Sequence, residues 1–306
     1  MATAREIQRR IQSIRNLGQV TRALQAVAAS NVRKAQAAAL ATRAYAHASW
    51  EVIVNLGAVT DETLHPLLIR HPSVENLLIV LVSGERGLCG AYNQNIVRTT
   101  LDYVKIRGLP VRYITVGRRG RDILWRMGAE IAAEFHGLPA VPSLIEVSPI
   151  ARAAIDEFLE GRADEVYIAR TDFVNLLVQK PIIQRLLPLH TTALTALEHE
   201  QAMLEYIVDV EPAPVLEYIY EPDVHTVLEA ILPRFTELQI YQAVLEAHAS
   251  EYAARMVAMR NATENAAALV DDLTLDYNKA RQRAITLELL DIAGGAEALA
   301  QATGGA

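Results

Sequence analysis

The stretch Arg234–Ile292, RFTELQIYQAVLEAHASEYAARMVAMRNATENAAALVDDLTLDYNKARQRAITLELLDI, decides the fold, because about 59 residues pass without a proline or a glycine. At 1.5 Å per residue it predicts a helix of roughly 90 Å, far longer than the three or four turns usual in a globular domain. Such a helix needs a partner along its length. From Met256 onward, small or apolar residues recur by alternating threes and fours at Met259, Thr263, Ala266, Val270, Leu273, Tyr277, Ala280, Ala284 and Leu287. That period, near 3.5, implies left-handed supercoiling. Leu238, Tyr241, Leu245, His248 and Tyr252 carry the same steps upstream. A second consecutive step of four, from Tyr252 to Met256, predicts that the supercoil loosens there.

The partner is at the other end of the chain. Ala4 to Asn55 contains no proline and is broken only by Gly18. Ile7, Ile11, Ile14, Leu17, Leu24 and Val27 mark its apolar face, and the alanines that follow allow close helix approach. Arg5, Arg9, Arg10, Arg15, Arg22, Arg33, Lys34 and Arg43 stand against the single acid Glu6, whereas the C-terminal stretch is biased to Asp and Glu. Matched length, complementary stripes and opposite charge predict an antiparallel coiled coil, with the Ile7, Ile11, Ile14 face against the C-terminal seam. The basic run reads equally as a solvated face or as a surface for an acidic partner.

Between the two helices the pattern becomes α/β. Leu77–Val82 is a continuous apolar run, as a buried parallel strand requires, and a helix is predicted over Ala91–Arg107. Val111–Val116 predicts a second strand, followed by a loop at Gly117–Gly120 and a short helix around Ile123. Ile150–Glu160 reads as a helix capped by Ser148 with Pro149 in its first turn. Val166–Ala169 is a further strand, and Gln179–Leu189, interrupted by Pro181 and Pro188, an edge strand. His199–Tyr206 is ambiguous, Val215–Tyr220 alternates as a strand, and Pro222 and Pro233 punctuate the approach to the long helix. The expected divisions are a shaft helix over 1–56, a Rossmann-like α/β domain over 57–222, and a second shaft helix over 223–306.

With 306 residues, 51% of them hydrophobic, the chain can bury a sizeable core, and a net charge of −7 argues against general nucleic-acid binding. One cysteine, Cys89, excludes an internal disulfide framework and a multi-cysteine zinc site. No window of some 18 apolar residues predicts a membrane span. Nor is there a Walker A sequence. His199-Glu200 begins a zinc-protease pattern that Met203 breaks, and Leu81 stands where a nucleophile elbow before Ser83 needs glycine. The loop Ser83-Gly84-Glu85-Arg86-Gly87-Leu88-Cys89-Gly90 sits where a dinucleotide loop would, but its glycines are three apart. Arg118 and Arg119 keep an NADP-binding oxidoreductase open as an alternative; tight-turn glycines, with Cys89 in a packing role, are the plainer reading. A third reading, a basic helix binding nucleic acid or anionic membrane, is opposed by the acidic total.

Both ends are specific enough to identify a family. Arg5-Glu6-Ile7-Gln8-Arg9-Arg10-Ile11, Thr21-Arg22-Ala23-Leu24, Val27-Ala28-Ala29-Ser30 and Arg33-Lys34-Ala35-Gln36 resemble the opening of the gamma subunit of F-type ATP synthase. Ala249-Ser250-Glu251-Tyr252-Ala253-Ala254-Arg255-Met256, Ala262-Thr263-Glu264-Asn265 and Tyr277-Asn278-Lys279-Ala280-Arg281-Gln282 resemble its closing helix, and Arg86-Gly87-Leu88-Cys89-Gly90 its central loop. Asn31-Val32, Glu85 and Ala91-Tyr92 depart from the usual residues. The resemblance implies a mechanical rotor with no active site, cofactor or metal of its own. Its shaft would turn inside a ring of alpha and beta subunits, while the α/β domain meets the epsilon subunit and the membrane c-ring, peripheral to the cytoplasmic face of a bacterial membrane. It further implies that Arg281, Gln282 and Thr286 contact a beta subunit, that Leu287, Leu290 and Ile292 form a tip turning in an apolar bearing, and that Tyr220 and Glu221 meet the c-ring. The shaft seam would include Ile7, Ile11, Ile14, Met256, Met259, Val270, Leu273 and Tyr277. Each charge crossing 100 mV supplies about 2.3 kcal/mol. Buried seam residues at about 1.5 to 3 kcal/mol each suit that load better than exposed ion pairs at about 0 to 1 kcal/mol.

Overall fold

The computed structural model describes residues 3–59, 65–189 and 223–303. The elements run α1 (Ala4–Val59), a 3-10 turn at Pro66–Leu68, β1 (Leu77–Val82), α2 (Tyr92–Arg107), β2 (Val111–Val116), α3 (Arg118–Arg126), β3 (Glu130–Phe135), α4 (Leu144–Leu159), β4 (Glu165–Phe173), β5 (Gln179–Leu187) and α5 (Val224–Thr303). They form two compact units, residues 1–27 with 256–306, and residues 28–255. The strand expected at Val215–Tyr220, the ambiguous His199–Tyr206 and the c-ring contact at Tyr220 and Glu221 lie outside the described residues.

In the unit of residues 28–255 one sheet has the order β3-β2-β1-β4-β5. The first four strands are parallel, and β5 is antiparallel to β4 at the edge. All six residues of β1 are buried, because alternate side chains enter two separate cores. Leu78, Val80 and Val82 pack with Ile150 and Phe158 of α4 and with Leu228, Leu232, Phe235 and Val244 of α5. Leu77, Ile79 and Leu81 pack with Ile96 and Val97 of α2 and Leu124 of α3. The opening turns of α5 are therefore a core helix of the α/β layer.

Several local expectations change. β3 carries no strand signature in the sequence because EIAAEF lies at the sheet edge, only half-buried, with small alanines on its inner side. α3 begins at Arg118, not after a loop ending at Gly120, since the Gly120 N–H is held by the Ser83 hydroxyl at 2.9 Å. α4 starts six residues earlier than expected. Ser143 supplies its cap, and Glu146 accepts from the Ser143 N–H at 2.7 Å, so Pro149 falls inside the helix and not in its first turn. Pro233 likewise lies within α5 and not at its boundary. Its ring removes one hydrogen bond, a loss of about 3 kcal/mol in an isolated helix, but Leu232 and Phe235 beside it are buried and hold the helix in place. α5 also continues through Gly294 and Gly295, since glycine costs only about 1 kcal/mol per residue in a helix.

In the unit of residues 1–27 and 256–306, α1 and α5 run antiparallel. The hydroxyls of Thr21 and Thr263 meet at 2.7 Å, and a Cβ placed on Gly18 would lie 3.5 Å from that of Ala266. Ile7, Ile11 and Thr21 are buried, with Ile14 and Gly18 half-buried between them. Leu17 and Val27, expected on the apolar face, are each 58% exposed. The true seam keeps strict steps of four and three through Gly18 and Thr21, neither of which a hydrophobicity reading selects. On α5, Met259 and Ala266 are buried, and Met256, Thr263, Val270, Leu273, Tyr277 and Ala280 half-buried. Ala284 and Leu287, expected to continue the seam, are exposed. The register explains this: pairing 21 with 263 and 18 with 266 brings Thr3 level with residue 281, and beyond that point α1 offers no partner.

Candidate functional site

From Arg281 to Ala296 every side chain is exposed. At about 100° per residue, Gln282 and Thr286 share a face within about 40°, while Arg281 sits roughly a quarter-turn away from Gln282. The Thr286 hydroxyl donates to the Gln282 carbonyl at 3.0 Å, leaving its oxygen able to accept. Lys279, Gln282, Arg283, Thr286 and Leu287 line a shallow groove. Sequence reasoning singled out neither Lys279 nor Arg283; the signal available was basic residues at every second position, which wraps positive charge around the helix. Asp276 lies 3.9 Å from Lys279, not against Arg281, which has no hydrogen bond or ion pair among the described residues. Leu287, Leu289, Leu290 and Ile292 are each more than 60% exposed and surround the helix instead of lining one face, so no single partner helix could cover them.

The glycine-rich loop after β1 is closed by the chain's own groups. Gly84 N–H donates to Asn93 Oδ1 at 2.8 Å, Arg119 N–H donates to the Gly84 carbonyl at 3.1 Å, and Ser83 Oγ takes the Gly120 N–H. The N–H groups of Gly84, Arg119 and Gly120 are thereby bonded within the chain. A Cβ on Gly84 would lie 3.0 Å from Asn93 Oδ1 and from the Glu251 carboxylate, and one on Gly87 would lie 3.1 Å from Arg119 Nη2. Arg118, held open for an extra phosphate, is paired with Glu85 at 2.7 Å. The carboxylates of Glu85 and Glu251 stand against this loop and would repel a phosphate, and the cofactor alternative has no support. Turn geometry accounts only for Gly90, at φ 59; Gly84 and Gly87 are glycines because other groups approach them closely. Cys89 is buried, and burial together with Glu251 pushes its thiol pKa up, away from the thiolate a nucleophile needs.

Residues 246–255 of α5 meet this layer through polar groups. Glu246 pairs with Arg170 of β4, and the Ala247 carbonyl accepts from the Tyr92 hydroxyl at 2.9 Å. His248 Nδ1 lies 3.4 Å from the Ala140 carbonyl, and desolvation lowers its pKa, keeping it neutral. Arg255 reaches Glu251 at 2.5 Å and the carbonyls of Arg86 and Gly87 at 3.3 Å. These charges are largely withdrawn from solvent and grip the chain itself.

A family model described as ATP synthase matches residues 3–299. An ATP synthase gamma chain from Dehalococcoides mccartyi strain CBDB1 is 45% identical over 302 residues, covering 98% of this chain and all of the relative. Among solved structures, a chain of the mitochondrial ATP synthase of Euglena gracilis in rotational state 3 aligns with a TM-score of 0.66 at 22% identity, over 98% of this chain and 95% of that one. A second, from the rotor of the same enzyme in rotational state 1, gives 0.60 at 22% identity over 92% and 98%. At these identities the structural matches speak to the fold: long terminal helices with an α/β domain between them.

Proposed function

Since this chain belongs to the ATP synthase gamma-chain family, we propose that it is the non-catalytic central rotor subunit of an ATP synthase, coupling ion-driven rotation of a c-ring to sequential conformational change in the catalytic beta subunits. The observation that carries this is the family match along nearly the whole chain, both helical ends included. Its partners are then a ring of alpha and beta subunits, an epsilon subunit and the c-ring, with the chain peripheral to a membrane on its cytoplasmic face; no described helix is long and apolar enough to cross one. In that assembly residues 1–56 and 223–306 supply the shaft helices, the opening turns of the second also packing in the α/β core, and 57–222 form the domain facing the c-ring, with Tyr220 and Glu221 as its contact.

Arg281, Gln282 and Thr286 are the proposed grip on a beta subunit, with Leu287, Leu290 and Ile292 as the bearing tip. A planar guanidinium engages a carboxylate bidentately and so passes force in a set direction, which an ammonium does not. Lys279 and Arg283 extend the same positive surface. In the reassembled complex, Arg281→Glu should lower ATP synthesis and rotation-coupled hydrolysis by about tenfold, the scale of a lost charge-assisted hydrogen bond. Arg281→Lys should fall between. Helix content of the free subunit should not change, because Arg281 is exposed. Unchanged rates in the Glu variant would refute the grip.

A further inference from the structure

We propose that Glu251 and Arg255 are positioning residues that clamp the loop 84–90 onto α5, so that twist entering the α/β layer passes into the helix and is not lost at the loop. This rests on the rotor reading and adds to it the place where the force crosses. Apolar packing of α5 on the sheet resists separation, but the hydrophobic driving force is itself non-directional. Hydrogen bonds to fixed carbonyls are directional.

The Arg255 fork spans two successive carbonyls, with Nη2 at 3.3 Å from both Arg86 O and Gly87 O and Nε at 3.4 Å from Gly87 O. The same Nη2 donates to Glu251 at 2.5 Å, and the guanidinium lies 5.6 Å from the centre of the Tyr252 ring. The side chains of Arg255 and Glu251 are only 13% and 6% exposed, so water competes little for these bonds. On the loop side, Gly84 has no side chain, which admits the Glu251 carboxylate, and Gly87 is covered by Arg119. Asn93 then ties Gly84 to Cys89, its Nδ2 donating to Cys89 Sγ at 3.1 Å. The loop is thus braced from within and from the helix.

This clamp is the last of four polar contacts within ten residues of α5. Arg170 of β4, Tyr92 of α2, the Ala140 carbonyl ahead of α4 and the 84–90 loop reach residues 246, 247, 248 and 251–255. At about 100° per residue these positions span roughly 200° of the helix circumference. A helix held from that many sides is blocked from turning about its own axis in either sense.

The test uses the reassembled complex in sealed vesicles, reading protons pumped per ATP hydrolysed. Arg255→Met keeps an apolar stem and loses every donor, while the proposed beta-subunit grip is untouched. Hydrolysis should persist, while pumping per ATP falls by about threefold or more, and Arg255→Lys should recover part of it. An unchanged ratio in Arg255→Met would overturn the clamp. Failure of Arg255→Lys to assemble would also overturn it, because the residue would then serve folding and not coupling. If the wild-type complex hydrolyses ATP without pumping, the rotor reading itself fails, which is a different result.

Discussion

Gly18 shows how far a single residue can mislead. In the sequence it is the one break in an otherwise uninterrupted helix, and so looks like a weak point; in the structure it occupies a seam position facing Ala266. There is room for a little more: an added Cβ would sit 3.5 Å from Ala266 Cβ, an ordinary contact. Gly18→Ala should therefore raise stability by about 1 kcal/mol through reduced backbone entropy, read as a higher melting temperature of the free chain. Gly18→Leu should lower it, because a branched side chain at that spacing must push the helices apart. Gly84 and Gly117 are unlike Gly18. A Cβ at Gly117 would fall 2.2 Å from the Ser83 carbonyl at φ 92, leaving no substitution free of strain. No spacing rule separates these glycines, since the atoms that crowd them come from distant parts of the chain.

At the level of elements, the two long helices were legible and their pairing partly so. Absence of proline and glycine announced α5, and the threes and fours from Met256 announced its seam. The face of α1 was less legible, because Leu17 and Val27 are apolar yet point to solvent, while Thr21 is buried by its hydrogen bond to Thr263. That pair offers a direct check. Cysteines at Thr21 and Thr263 should form an intramolecular disulfide readily, since the oxygens they replace are 2.7 Å apart. Buried Cys89 should not compete. Gel mobility under non-reducing conditions reports the result, and cross-linking between separate chains instead would mean that the register is wrong. Proline and capping signals misplaced the boundaries of α4 and α5 for one physical reason: a cap or a break contributes about 1 to 3 kcal/mol, less than burial of the neighbouring side chains.

At the scale of the whole molecule, the apolar surface left uncovered is the informative quantity. The tip at Leu287, Leu289, Leu290 and Ile292 is exposed on all sides, beyond the reach of α1, and an isolated chain gains nothing from it. Leu287→Ser with Leu290→Ser should leave the helix content and melting of the free chain unchanged. If a bearing surrounds the tip, the same variant should assemble poorly with alpha and beta subunits, measured by co-elution; equal assembly would count against the bearing.

The sequence by itself determined the two long helices, the buried central strands and the family, because periodicity, apolar runs and local motifs are properties of neighbouring residues. Tertiary structure alone decided three things: that the opening turns of α5 belong to the α/β core, that β3 completes the sheet edge, and that Glu251 and Arg255 close on a loop about 165 positions earlier. Each depends on groups brought together across the chain. A buried charge pair in particular cannot be read from sequence, where both partners look like ordinary solvated residues of a helix face.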